Sequence, residues 1–290
     1  MPAEAKLAPM AVVKEFYKLE GLGNDFLVAF CPELFEPDRA AVARLLDRRL
    51  GLGADGLILA VPSGAASLAM ALYNSDGTRA EMSGNGIRCL GHAAYAANLV
   101  PIGPLEVATD AGGRSLSAKE GDPSGGMMIE AEMGKVAYVS PPFARSAAFG
   151  GHKWRGTELD AGNPHLVFIP EEGELSPPNL SELDIATLGP EIEAGYSAGT
   201  NVEWVELDSA TLARLRVWER GAGVTLACGT GSTATAFLLL DQGLAQGEVE
   251  VRNPGGTLWA RLGEAGEMYL RGPSTLIARV VVADSFGLAP

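Results

Sequence analysis

The sequence predicts an α+β protein built from two similar halves, and two observations carry that prediction. Short apolar or alternating runs bounded by Gly, Pro and Asn recur along the chain, whereas helical periodicity is confined to three segments. Two motif pairs also echo in the same order. Gly23-Asn24-Asp25-Phe26-Leu27-Val28 returns as Gly162-Asn163-Pro164-His165-Leu166-Val167 (162 − 23 = 139), and Ser83-Gly84-Asn85-Gly86 returns as Cys228-Gly229-Thr230-Gly231 (228 − 83 = 145). A chain with 37 glycines gives single Gly-rich echoes by chance, but two echoes in order at similar offsets point to duplication.

The strand signals run KEFYKL, FLVAF, DGLILA, SLAMALY, HLVFI, NVEWVEL, RLRVW, GEVEVR and IARVVVA, rich in Val, Tyr and Phe. A first helix is expected from Asp38 to about Leu50, with Val42, Leu45 and Leu46 on one face. A second runs from about Asn85 to Leu99 and a third from Gly229 to about Gly243, each opened by one copy of the repeated Gly-x-Gly. EGDPSGG (Glu120–Gly126) reads as a domain junction, and SPPF and ELSPPN read as surface loops.

Composition bounds the function. With 290 residues, 47% of them hydrophobic and 20% charged, the chain suits one large or two ordinary folded domains and not a disordered one. A net charge of −14 disfavours phosphate backbones and anionic lipid, so no nucleic-acid or membrane partner is expected. Cys31, Cys89 and Cys228 form no disulfide framework, and His92, His152 and His165 add no metal constellation. A reducing, cytoplasmic setting follows. The N-terminal MPAEAKLAPMAVVKEF is too weakly apolar for a signal peptide. Gly221–Leu240 is free of charge, but only its second half, TATAFLLL, is continuously apolar, which reads as a buried helix fed by a glycine-rich loop.

The repeated motif suggests chemistry. A helix N-terminus presents unpaired N–H groups and partial positive charge, and so holds anions. A cysteine there is expected to have a lowered pKa and to serve as nucleophile or base. Two such termini facing each other would hold one carboxylate between two acid/base groups, a geometry for moving a proton from one face of an α-carbon to the other. Each motif also has a plain structural role: Ser83 as a helix cap, Cys228 as a small buried residue, Asn74-Ser75-Asp76-Gly77 as a turn, Glu219-Arg220 as an ion pair. No dinucleotide fingerprint or Walker lysine is present.

Taken together, KLEGLGNDFLV (Lys18–Val28), GLGADG (Gly51–Gly56), NSDGTRAEMSGNGIRC (Asn74–Cys89), GNPHLV (Gly162–Val167), NVEWV (Asn201–Val205) and WERGAGVTLACGTG (Trp218–Gly231) resemble the diaminopimelate epimerases over nearly the whole chain. The resemblance implies two pseudo-symmetric domains, each a β-barrel-like sheet around a central helix, with the active site in the inter-domain cleft. It returns the end of the chain, IARVVVADSF, to the first domain, giving units 1–123 plus 278–290 and 124–277. It implies a cofactor-independent isomerase, needing no PLP, metal or nucleotide. The reaction would interconvert LL- and meso-2,6-diaminopimelate in lysine and peptidoglycan synthesis, and the resemblance permits a homodimer. Residue by residue, it carries a base to Cys228, with His165 and Glu219 as polar helpers. Asn74, Asn201 and Arg220 would hold the distal amino and carboxyl groups, and Asn24, Asn85, Asn163 and Glu219 the reacting end. Backbone N–H groups at Gly84, Asn85, Gly229 and Thr230 would hold the reacting carboxylate.

One position departs from the pattern. Where the family has a first catalytic cysteine, this chain has Ser83, and Cys89, six residues on inside the helix, is no substitute. A hydroxyl is far less acidic than a thiol. The sequence leaves three readings: a variant that still epimerises, a deliberate Cys→Ser exchange, or a one-thiol isomerase or dehydratase on a related amino acid. A binding protein of another class, disabled by Ser83, stands beside them. A thiol hydrolase fits poorly, because nothing marks an acyl leaving-group pocket.

Overall fold

The computed structural model describes residues 12–171 and 179–289. Most of the N-terminal segment and residues 174–178 of the ELSPPN loop lie outside the described residues. The first half runs β1 (Glu15–Gly21), β2 (Asn24–Phe30), α1 (Arg39–Leu46), β3 (Gly56–Gly64), β4 (Ser67–Asn74), β5 (Arg79–Ala80), α2 (Gly84–Ala96), β6 (Pro104–Thr109), β7 (Gly112–Gly121) and β8 (Gly126–Gly134). The second runs β9 (Ala137–Tyr138), β10 (Arg145–Phe149), β11 (His152–Asp160), β12 (Pro164–Pro170), α3 (Ile185–Glu193), β13 (Asn201–Ser209), β14 (Leu212–Glu219), β15 (Gly223–Val224), α4 (Gly229–Asp241), β16 (Glu248–Asn253), β17 (Gly256–Leu262) and β18 (Met268–Val281).

Pairing closes the first half into an eight-strand barrel in the order β1, β2, β3, β4, β6, β7, β8, β18 and back to β1. The second half repeats the wiring through β11, β12, β13, β14, β16, β17 and β18, then β8. Past Val136 the chain resumes as β9, which pairs with β11 and closes the circuit. Even the parallel pairs match: β2 with β3 and β4 with β6, then β12 with β13 and β14 with β16. β8 and β18 serve both barrels. β18 pairs with β17 through Arg271 and with β1 from Thr275, so the end of the chain returns to the first barrel.

A helix fills each barrel. Every residue of α2 from Gly84 to Tyr95 is buried, and α4 is buried almost throughout. Both helices are thus enclosed on all sides and form the centres of their barrels. Leu90, fully buried in α2, fits that place, and truncation to Ala there costs about 2–5 kcal/mol. α1 covers the outside of the first barrel with Val42, Leu45 and Leu46. α3 covers the second with Ile185 beside Trp204.

The GN echoes are turns. Gly23 at φ +84° and Gly162 at φ +88° turn β1 into β2 and β11 into β12, a left-handed geometry that favours glycine. Each turn delivers the following asparagine to the end of a strand.

Some elements differ from expectation. α1 stops at Leu46 because Asp47 turns its carboxylate onto the N–H groups of Arg49 and Leu50, both at 2.7 Å, a local bond that competes with the helix. α3 escapes sequence reading because Pro190 lies inside it. Glu120–Gly126 is the turn of the β7–β8 hairpin, closed by Asp122 N–H to Gly126 O at 2.9 Å, and not a linker. β7, β10, β11 and β17 carry no clean alternating run in the sequence, while the alternation in β6 (Leu105-Glu106-Val107) and in β8 (Ile129 to Met133) lies outside the runs named above. Of the charge-free stretch, only Gly229 onward is helical, and among the described residues no helix is long and apolar enough to cross a membrane.

Candidate active site

The two central helices meet end to end. Ser83 caps α2, its hydroxyl accepting from Gly86 N–H at 3.1 Å, and Cys228 caps α4, its sulfur accepting from Gly231 N–H at 3.3 Å. Behind the caps the first glycines touch: a Cβ added to Gly229 would stand 3.1 Å from the Cα of Gly84. The positive ends of both helix dipoles therefore converge on one cleft of about 1320 Å³.

Of the residues singled out from the sequence, Ser83, Cys228, Glu219, Asn24, Asn74, Gly84, Asn85, Asn163, Asn201, Arg220, Gly229 and Thr230 line this cleft. His165 does not. It lies buried behind the wall, with Nδ1 2.7 Å from Glu203 Oε1 and Nε2 2.9 Å from Asn163 Oδ1, so it reaches the cleft through Asn163. Asn201 is tied at both ends, accepting from Arg220 N–H at 3.0 Å and donating to Pro164 O at 2.8 Å. Asn201 thereby holds the Arg220 backbone in place. The Arg220 guanidinium donates to Ala198 O at 3.2 Å and has no carboxylate partner among the described residues. Asn74, exposed, donates to Thr78 Oγ1 at 3.1 Å.

Glu203 escapes sequence reading because it sits within an alternating strand run that reads as structure. It is fully buried, its Oε2 has no hydrogen-bond partner among the described residues, and a Cβ on Gly231 would meet its Oε1 at 2.5 Å. Asp55, also missed, lines the cleft and accepts from Asn24 Nδ2 at 2.8 Å.

The expected low pKa of Cys228 is corrected by its surroundings. Burial pushes the thiol well above its ordinary value, and the Glu219 and Glu203 carboxylates push it further. These outweigh the helix terminus. Burial also raises Glu219, against hydrogen bonds from Thr225 and Cys228 and with Glu203 adding to the rise. A carboxylate whose proton affinity is raised in this way is a better acceptor for the proton of the neighbouring thiol.

The barrels differ where they matter. Pairing aligns Phe26 with Gly56 in the first barrel and His165 with Asn201 in the second. The same offset sets Ile58 against Glu203 and Asn74 against Glu219. Cys228 thus stands near two carboxylates, one of them paired with the His165 imidazole, whereas a Cβ on Gly86, next to Ser83, would meet Phe26 and Ile58 at 3.2 and 3.3 Å.

Comparison with known proteins agrees with this architecture. Residues 16–139 and 158–277 match the family model described as diaminopimelate epimerase. The chain is 35% identical over 290 residues to the diaminopimelate epimerase of Desulfitobacterium hafniense, covering 93% of this chain and 98% of that one. It is 38% identical to that of a Synechococcus strain, covering 89% and 94%. Among solved structures, a hydroxyproline epimerase from Agrobacterium vitis shares the fold at a TM-score of 0.72, with 14% identity over 95% of this chain and 92% of that one. The duplicated barrels, the abutting helix termini and these matches show that this chain belongs to the diaminopimelate epimerase family.

Proposed function

We propose that the protein interconverts LL- and meso-2,6-diaminopimelate by moving the proton of one α-carbon from one face to the other. The observation that carries this is the abutment of two capped helix termini, with a thiol on one side and a hydroxyl on the other. The substrate α-carboxylate takes N–H donors from Gly84, Asn85, Gly229 and Thr230, with Asn24 and Asn163 flanking the reacting end. Arg220, Asn201 and Asn74 receive the distal end, a bidentate guanidinium suiting its carboxylate. Glu219 takes the Cys228 proton, and the thiolate removes the α-proton. The electron pair left on carbon is stabilised through the carboxylate by the fixed N–H donors. The Ser83 hydroxyl delivers a proton to the opposite face and is reprotonated from solvent, while Glu219 releases to solvent the proton it took from Cys228. His165, held by Glu203, orients Asn163.

In the reverse direction Ser83 would have to act as base, and a hydroxyl in an apolar setting does this slowly. Exchange is therefore fast for the isomer that faces Cys228 and slow for the other. The reading includes units 1–123 plus 278–290 and 124–277 joined by the shared strands, a cytoplasmic setting and a homodimer. The net charge of −14 supports a small zwitterionic ligand over nucleic acid or membrane.

Proton NMR in heavy water with each isomer tests this. The α-proton signal should fade with both isomers, faster with one, and Ser83→Cys should speed the slower. Silence from both proteins overturns the substrate.

A further inference from the structure

Arg88, in the second turn of α2, is fully buried, an unfavourable place for a cation unless its donors are used. Among the described residues it has no carboxylate at ion-pair distance, and Glu20 acts on it only at longer range. Burial pushes its pKa down to about 10, so it remains charged at neutral pH. Room is made for it by two glycines: a Cβ on Gly272 would stand 3.1 Å from Cζ, and one on Gly21 3.4 Å from Nη2.

Its donors point at the site. Nη2 donates to Asn85 Oδ1 at 2.7 Å and Nη1 to Gly84 O at 2.8 Å, with Nε 3.5 Å from Pro273 O. With Oδ1 taken, Asn85 turns Nδ2 outward, 3.5 Å from Asn24 Oδ1. Asn24 Nδ2 in turn donates to Asp55 Oδ2 at 2.8 Å, and Asp55 Oδ1 accepts from Arg48 at 2.7 Å. Donors follow one another in a single direction from Arg88 to Asp55, which fixes the orientation of both amides. The Gly84 carbonyl also belongs to the same peptide as the Asn85 N–H, so a cation on that oxygen makes the N–H a stronger donor. In the second barrel Thr233 stands at the matching position (233 − 88 = 145) and donates to Gly229 O at 2.8 Å. The contact is repeated there without the charge.

We propose that Arg88 is a positioning residue for the substrate carboxylate, acting through Asn85 and the Gly84–Asn85 peptide. The identity of the ligand rests on the function proposed above, but the orientation of Asn85 does not. The test uses full-length Arg88→Met and Arg88→Lys. It measures thermal melting, the side-chain amide signals of 15N-labelled asparagine, assigned with Asn85→Ala and Asn24→Ala, and calorimetric affinity for meso-diaminopimelate. In Arg88→Met the amide signals of Asn85 and Asn24 should shift and lose exchange protection, and affinity should fall about ten-fold or more. Arg88→Lys should recover part of both. In the Asn85→Ala background Arg88→Met should change affinity by clearly less than in the parent, because only the route through the Gly84–Asn85 peptide remains. Unmoved amide signals in a variant that melts like the parent overturn the proposal, as do losses that simply add. Where Arg88→Met does not fold, Arg88→Lys gives the same comparison. If the parent protein does not bind diaminopimelate, the substrate reading fails, and the amide signals still decide the role of Arg88.

Discussion

Replacing Gly229 by alanine places one methyl group where the two helices meet. Gly229 is the first residue of α4, behind the Cys228 cap, so alanine suits its backbone. Removing a glycine there should stabilise by about 0.4–1 kcal/mol through the unfolded chain. The added Cβ, however, would lie 3.1 Å from Gly84 Cα and 3.5 Å from Gly84 C and Leu270 Cδ2. Carbon atoms settle at about 3.5–4.0 Å, so the termini must separate by roughly 0.4–0.9 Å. Overpacking of this kind costs about 1–3 kcal/mol, which leaves a net loss of at most about 2.5 kcal/mol and a melting point lower by a few degrees. Activity should suffer far more. The same movement draws Ser83 and Cys228 apart around the α-carbon, and a misplacement near 1 Å costs about 100-fold in rate. We expect α-proton exchange to fall about ten- to 100-fold, measured by NMR in heavy water. Gly113→Ala, with no heavy atom within 4 Å of the added Cβ, serves as control. A folded Gly229→Ala with the parent exchange rate would refute the reasoning that this contact sets the distance between the two proton-handling groups.

Ser83→Ala removes the α2 cap and should cost about 1 kcal/mol of stability, while Ser83→Cys, which keeps an acceptor, should cost less in the same melt. Because Glu219 and Glu203 raise the Cys228 thiol, neutralising either should lower it. The pH midpoint of iodoacetamide labelling should fall in Glu219→Gln, and an unchanged midpoint would remove the carboxylate from the thiol's surroundings. Burial raises the Cys89 thiol to about 12 and Cys228 well above its ordinary value. An acid raised on folding contributes fully below its unfolded pKa, near 8.5, and its contribution is lost as pH climbs towards the folded value. Stability should therefore fall above about pH 8.5, by about 1.4 kcal/mol per pH unit for each thiol. Denaturant melts of Cys89→Val across pH 8 to 11 should show a slope shallower by one thiol's share.

The duplicated plan was legible because it rests on short, rigid requirements. A left-handed turn needs Gly23 and Gly162, and touching helix ends need Gly84 and Gly229, so the demands leave identical letters at matching offsets. Whole strands such as β7 and β8 left no comparable mark. Their burial alternates irregularly through bulges between Ala118 and Glu120 and between Met268 and Tyr269, and β8 passes from one barrel to the other. Most residues of the cleft wall were readable from motifs, whereas Asp55, which lines the cleft within a glycine-rich run, was not, and neither were Arg88 and Glu203, because they act behind the wall. Arg88 and Glu203 are buried charges, which a sequence presents like any surface charge. What distinguishes them is contact with the N-terminal turns of α2 and α4, a property of packing alone. The pKa of Cys228 was misjudged for the same reason. A helix terminus is visible as Cys-Gly-x-Gly, but the two carboxylates come from β13 and from the end of β14.

The divergence between the halves settles what a thiol restored at position 83 would be. Cys228 sits with Glu219, Glu203 and His165, and its conversion to thiolate depends on passing a proton to a neighbour, because the field of the carboxylates opposes the charge. A cysteine at 83 would meet none of these, since Asn74, Phe26 and Ile58 stand at the matching positions. It would instead have the α2 terminus, with the Arg88 guanidinium on the Gly84 carbonyl. Both favour negative charge. In Ser83→Cys the first thiol should therefore ionise at lower pH than Cys228, without a general base of its own. The two faces of the α-carbon would be served by different means, a proton relay on one side and a fixed positive field on the other. Ser83 receives the same field, but its hydroxyl lies too many pH units from ionisation for that field to make it a base. The asymmetry of exchange proposed above would then follow from the group at position 83 and not from a collapse of the site around it.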